Sequence, residues 1–189
     1  MNGWGIWSSG QPLSAQQQPQ QKPSASLDLE RAQKPQERLR LLRQAIRQSP
    51  KEANLYYQAG QIEEQLGHWE EALRDYQTAF QRNPEFVDAY YRAGHVSERL
   101  GETYFLGKSR VVKKPNLRYA ISLYQRAIRL KPDFNDAYYV LSLAHLMDGD
   151  LRQASETCQQ LCQLEPESGR TRQLVQRIYE QYLTHNKKQ

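Results

Sequence analysis

Residues 53–84, ANLYYQAGQIEEQLGHWEEALRDYQTAFQRNP, decide how the rest of the 189-residue chain is read. Tyr56, Ala59 and Gly60 fall at helical spacing, Gly67 interrupts the pattern, and Ala72, Tyr76 and Ala79 form a second stripe closed by Pro84. The segment therefore predicts two short antiparallel helices. Gly60 and Ala72 leave room for the bulky Tyr56 and Tyr76 where the helices approach, and Gly67 suits the positive φ of a tight helix-ending turn.

The segment recurs. Closing prolines at Pro50, Pro84, Pro132 and Pro166 are spaced 34, 48 and 34 residues apart, so the middle interval is one period plus 14 residues. Tyr56-Tyr57, Tyr90-Tyr91 and Tyr138-Tyr139 open three units, Gly67, Gly101 and Gly149 mark their turns, and Ala72, Ala120 and Ala154 sit in their second helices. This pattern resembles the tetratricopeptide repeat family over about residues 36–166. The family's small eighth residue matches Gly60, Gly94 and Ser142, and its later bulky position matches Tyr76 and Tyr124 but is Cys158 in the third unit. The resemblance implies an all-α, right-handed solenoid of antiparallel helix pairs.

Composition agrees with a thin helical array. Hydrophobic residues make up 38% of the chain and mean hydropathy is −0.90, which suits a two-layer solenoid better than a compact α/β enzyme. A net charge of +5 permits an acidic partner without demanding one.

Residues 1–34 are dominated by Gln, Pro, Ser and Gly and are expected to form a disordered tail, with Trp4, Ile6 and Trp7 as the one apolar motif in it. No secretory leader is visible there, and the longest mostly apolar run, Ala137 to Met147, is too short to span a bilayer. The folded domain is expected over 35–184. Within it, residues 36–50 read as a half repeat with Leu39, Leu42, Ala45 and Ile46 on one face. Units follow at 53–84, 87–132 and 135–166, and a capping helix at 168–184 uses Leu174, Ile178, Tyr179 and Tyr182 as a shield. Residues 185–189 read as a frayed tail.

The extra residues of the middle unit, 102–115, fall between its two helices. Tyr104, Phe105 and Leu106 suit either an extension of the first helix or a fold back onto the array, and Asn116 suits the cap of the following helix. Lys108, Arg110, Lys113, Lys114 and Arg118 concentrate positive charge, a candidate anion contact. Through residues 102–118 this supports an alternative reading as an adaptor on RNA or an anionic membrane surface. There is no Gly-rich phosphate cradle and no regular aromatic interleaving, so nucleic acid is not the favoured partner.

Catalytic chemistry is not visible. Cys158 and Cys162 lie four apart on a helix, a geometry that does not bring their sulfurs into a relaxed disulfide, and two unpaired thiols fit a reducing compartment such as the cytoplasm. Only His145 stands near them, too few ligands for zinc, so neither a metal nor a cofactor is expected. Glu63, Glu64, Glu70 and Glu71 read as solvating charges, and no acid, base and nucleophile converge, so an enzyme is not expected.

Function is expected in the groove. The resemblance places the second, fifth, sixth, ninth and twelfth residues of each first helix on the concave surface, where Tyr57, Tyr91 and Tyr139 would form an aromatic ladder. Gln58 and Gln61, Arg92 and His95, and Leu143 stand beside them, with Asn54, Glu64, Asp88, Glu98, Asp136, Val140 and Leu146 completing the surface. Such a groove suits a peptide or helix of a partner protein, in the manner of a scaffold or assembly factor. Family members that clamp a chaperone's C-terminal carboxylate use Lys and Asn at the fifth and ninth positions. Here these are Tyr57 and Gln61, Tyr91 and His95, and Tyr139 and Leu143, which argues against that ligand.

Overall fold

A computed structural model describes residues 34–105, 109–112 and 114–186, and the side chains of these except 102–115 and 186. Its helices are α1 (Pro35–Gln48), α2 (Ala53–Leu66), α3 (Trp69–Arg82), α4 (Val87–Gly101), α5 (Lys114–Leu130), α6 (Asn135–Asp148), α7 (Leu151–Leu164) and α8 (Gly169–Asn186). Each packs on the helix before and after it, and α8 also reaches back to α6. The chain is an α-solenoid of three helix pairs, α2/α3, α4/α5 and α6/α7, flanked by α1 and α8. The expected tail over 1–34 lies outside the described residues but for Lys34. At the other end α8 continues through Asn186, past the expected boundary at 184.

Local chemistry sets the ends of these helices. Gly67 and Gly149 take φ of 77° and 86° and close α2 and α6 with left-handed caps. Pro50, Pro84, Pro132 and Pro166 each stand two residues beyond a helix, where a missing N–H costs nothing. Asp150 starts α7 by accepting the Gln153 backbone N–H at 3.0 Å.

The middle unit departs from the expected outline. Gly101, in the place of Gly67, is the last residue of α4, and the chain runs straight into β1 (Glu102–Phe105), paired antiparallel with β2 (Ser109–Val112). Tyr104 and Phe105 therefore do not extend the helix, because they are paired with Arg110 and Ser109 in a hairpin; Leu106 lies outside the described residues. Asn116 is not a cap. α5 begins two residues earlier at Lys114, with Pro115 in its first turn, a place that proline tolerates. The backbone carbonyl of Asn116 instead accepts the buried Ser97 hydroxyl at 3.0 Å, tying the start of α5 to α4 across the foot of the hairpin.

The core is a row of small clusters rather than one centre. Leu42, Ala59 and Ile62 form the first, and Leu146, Leu161, Leu174 and Ile178 belong to the last. Between them each unit is closed by a tyrosine with no exposed surface, Tyr76 or Tyr124. A Cβ on Gly60 would stand 2.8 Å from the Tyr76 ring, and one on Gly94 would stand 2.5 Å from the Tyr124 ring. Tyr56, by contrast, stays half-buried at the edge and donates its hydroxyl to the Pro50 carbonyl at 3.1 Å. In the third unit the same two positions hold Ser142 and Cys158, both buried, so the smaller partner comes with the larger backbone residue.

Glu63, expected as a solvating charge, is inside, and so is Asp75. Asp75 receives both Nη atoms of Arg43 at 2.7 Å, and Glu63 receives Arg43 Nη2 at 2.9 Å and lies 2.7 Å from His68 Nδ1. Glu63 and Asp75 are 4% and 6% exposed, so Arg43, itself partly exposed, pins α1 to α2 and α3 through two buried carboxylates. Burial raises the Asp75 pKa more than Arg43 lowers it, while the same hydrogen bond raises that of Arg43.

Replacing Gly94 with Ala forces a methyl group into the Tyr124 ring and should cost about 1–3 kcal/mol, the scale of overpacking. Chemical denaturation reads this as a lower midpoint. Gly94→Ala at wild-type stability would mean that the helices separate freely, contrary to the contact described.

Candidate functional site

The first helices of the three units, α2, α4 and α6, place Tyr57, Tyr91 and Tyr139 in equivalent positions, each half-buried. Their rings are not a free ladder. Tyr57 lies 4.8 Å from Phe86 and 5.7 Å from Tyr76, and Tyr91 lies 5.0 Å from Phe134 and 6.0 Å from Tyr124, all tilted pairs. Each of these tyrosines is thus wedged between the second helix of its own unit and the loop into the next. In the third unit the phenylalanine position is Ser168 and the second-helix position is Cys158, so the aromatic wedge is lost. The guanidinium of Arg170 covers Tyr139 instead, 5.3 Å from the ring centroid.

A row of charges runs beside these rings. The second residue of successive first helices is Asn54, Asp88, Asp136 and, on α8, Arg170. Burial first and Asp88 second raise the pKa of Tyr57; burial and Asp136 do the same to Tyr91. The row changes sign at its last member. Arg170 donates to Asp136 at 2.6 Å and to both oxygens of Glu165 at 2.6 and 3.3 Å, which holds the Glu165 carboxyl down at about 2. Sequence reasoning missed Arg170, although its place 34 residues after Asp136 was there to be read.

Polar groups in the first two units are joined to one another. Glu64 accepts the Tyr76 hydroxyl at 2.7 Å and lies 3.5 Å from Arg92 Nη1 and 3.9 Å from His95 Nδ1. Burial opposes the charge on Arg92, and Glu64 together with Tyr76 and Tyr57 more than offsets it. Gln61 Nε2 donates to the Tyr57 hydroxyl at 3.3 Å. Gln58, Arg92, His95, Val140 and Leu143 are half-buried, so Tyr57, Gln58, Gln61, Tyr91, Arg92, His95, Tyr139 and Leu143 are all partly accessible. Leu146 is not part of this surface, because it is buried against Ala154 and Cys158. Glu98 is buried too.

Of the cations expected at the insert, only Arg118 has a described side chain, and it is exposed on α5. Arg110 and Lys114 are placed by backbone alone, in β2 and at the start of α5, while Lys108 and Lys113 lie outside the described residues. Among the described residues no group of three or more His, Cys, Asp or Glu could hold a metal ion. Burial pushes the Cys158 thiol up to about 12, with Cys162 beside it acting in the same direction, so Cys158 is protonated at neutral pH. His145 is buried, and that burial lowers its pKa against the pull of Asp150 and Asp148. No helix among the described residues is long and apolar enough to cross a membrane.

Known proteins share this architecture. A TPR repeat model matches residues 60–101, and a tetratricopeptide repeat model matches residues 115–168. The chain belongs to the tetratricopeptide repeat family. No curated protein matches it. Among solved structures, a tetratricopeptide repeat protein from Parabacteroides merdae superposes with a TM-score of 0.71 at 16% identity, over 85% of this chain and 59% of that one. YrrB, described as a TPR protein with an unusual peptide-binding site, gives 0.61 at 18% identity over 75% and 66%. The first TPR of Spaghetti (RPAP3), solved with the HSP90 peptide SRMEEVD, gives 0.57 at 17% identity over 68% and 91%.

The Arg170 cluster should show in the acid limb of stability. Glu165 titrates below its ordinary value of 4.5, so its contribution is full at neutral pH and is lost as pH falls through about 2. Glu165→Gln should therefore melt below the wild type at neutral pH, with the difference shrinking through the acid range. A difference independent of pH would show that Arg170 does not stabilise the ionised form.

Proposed function

We propose that the chain is a noncatalytic protein-interaction scaffold that holds a peptide segment of a partner along the face of α2, α4 and α6. The observation that carries this reading is the column of half-accessible Tyr57, Tyr91 and Tyr139, the first two fixed from behind by Phe86 and Phe134 and the third flanked by Arg170. Rings held in one orientation contribute contact area with little entropy left to lose. Membership of the tetratricopeptide repeat family supports a protein partner, and YrrB and Spaghetti are relatives in fold whose descriptions include a peptide-binding site or a bound peptide.

The charges narrow the ligand. Arg92 and Arg170 are engaged by Glu64, Asp136 and Glu165, whereas Asp88 is exposed beside Tyr57. The segment bound is accordingly one with a basic residue toward the first two units and an apolar residue toward Val140 and Leu143. A chaperone's acidic C-terminal tail does not fit, since neither Lys nor Asn stands at the clamp positions.

Affinity purification of the intact chain identifies the partner, and two substitutions then test the face. Asp88→Arg with Gln61→Arg should weaken binding of the identified segment by about 1–3 kcal/mol and leave the helical signal intact. Tyr91→Ala is the poorer probe, because it also empties the contacts with Tyr124 and Phe134. Unchanged affinity in the double arginine variant would remove the concave face from consideration.

A further inference from the structure

The last helix has two apolar faces. Leu174 and Ile178 turn inward and are 2% and 8% exposed, while Val175, Tyr179, Tyr182 and Leu183 form a second stripe that remains 42–57% exposed. With Leu151 and Cys162 of α7, Val175, Tyr179 and Tyr182 of this stripe border an apolar groove of about 790 Å3. A patch of this kind is unusual on a surface that keeps no partner.

The repeat phase says what such a groove is. α8 starts 34 residues after α6, in the place of a first helix, so the groove is the seat that the second helix of a fourth unit would take. Ordinary continuation of the array is closed there. The position of Gly60 and Gly94, which admits the tyrosine of the second helix, is Gln176 in α8. The other end of the described array does not match either. α1 presents exposed Arg38 where the second helices carry Ala72, Ala120 and Ala154, all fully buried, and none of the exposed large apolar side chains lies on α1. Among the described residues, head-to-tail stacking into an open filament has no complementary pair of ends.

The outward face of α8 matches its own seat. Val175, Tyr179, Tyr182 and Leu183 repeat the spacing of Ala72, Tyr76, Ala79 and Phe80 in α3 and of Ala120, Tyr124, Ala127 and Ile128 in α5. The helix thus carries the seat and a face of the kind that fills such seats elsewhere in the chain. We propose that two copies of the chain pair through α8, antiparallel about a twofold axis, each laying its outer stripe into the groove of the other. With the axis near Tyr179, Val175 of one copy faces Leu183 of the other, and the two helix dipoles oppose. A fully buried aromatic covers about 150–250 Å2, so four half-exposed tyrosines supply roughly 400 Å2. The aliphatic residues and groove walls bring the total to roughly 1,000 Å2, the lower edge of a specific interface. The pair is therefore reversible.

Sedimentation equilibrium of the full chain through the micromolar range tests this. A monomer–dimer equilibrium is expected, and Tyr179→Glu with Tyr182→Glu should raise its dissociation constant by a factor of about 30 or more, the scale of interface hot spots. The helical signal should not change, since both side chains are more than half exposed. A chain that stays monomeric, or a dimer indifferent to the two substitutions, overturns the proposal. So does a monomer whose Trp4 and Trp7 emission, recorded in a Trp69→Phe background, shifts to the red in the double variant, since that result seats the chain's own first residues in the groove.

Discussion

A ring pressed against a missing side chain sets the geometry of this solenoid. Tyr76 and Tyr124 occupy the space that a β-carbon on Gly60 or Gly94 would need, so the two helices of a unit approach as closely as their backbones allow. That distance fixes where the next first helix can lie and how Tyr57 and Tyr91 are wedged between ring and loop. The third unit solves the same problem with Ser142 and Cys158, and its concave side changes in step: the phenylalanine becomes Ser168 and Arg170 moves over Tyr139. Core and surface are therefore not independent in a layer two helices thick. A substitution inside one unit is felt on the face that meets a ligand.

Internal charge pairing gives that face its character. Glu64 binds the hydroxyl of a core tyrosine with one oxygen and lies near Arg92 and His95 with the other. Arg170 is held by two carboxylates while it covers a ring. A ligand must exchange such pairs rather than find bare charges, so its ionic groups contribute more to register than to affinity. Affinity then rests on the area of the tyrosines and on the apolar residues of α6.

Much of the fold was legible because prolines, glycines and tyrosines recur at fixed spacing, and each has a local cause: a helix stop, a left-handed cap, a close crossing. The hairpin after Gly101 was not legible, because two strands of four residues carry too little alternation to be told from a charged loop. Lys114 rather than Asn116 begins α5 because proline is accepted in a first turn as readily as before one. Glu63 and Asp75 were hidden from the sequence for a different reason. Their burial depends on Arg43, which comes from another helix and lies outside the repeat pattern. In α8 the apolar arc is wide enough to include Leu174 and Tyr179 alike, and composition alone does not say which half is covered. The row Asn54, Asp88, Asp136 and Arg170 was readable in full, and only its last member falls outside the three complete units.

The charged clamp of Arg43 has a counterpart in how the molecule comes apart. At its amino end, α1 is fastened to two other helices by a guanidinium with both carboxylates buried, and withdrawing Arg43 takes the cation from both carboxylates at once. At its carboxyl end, α8 is fastened by a few buried side chains and by ion pairs that water reaches. Partial opening in a linear array starts where a unit has one neighbour and the weaker attachment. Amide exchange is therefore expected to start at α8 and to move inward toward α1, the reverse of the order in which a ribosome releases the chain.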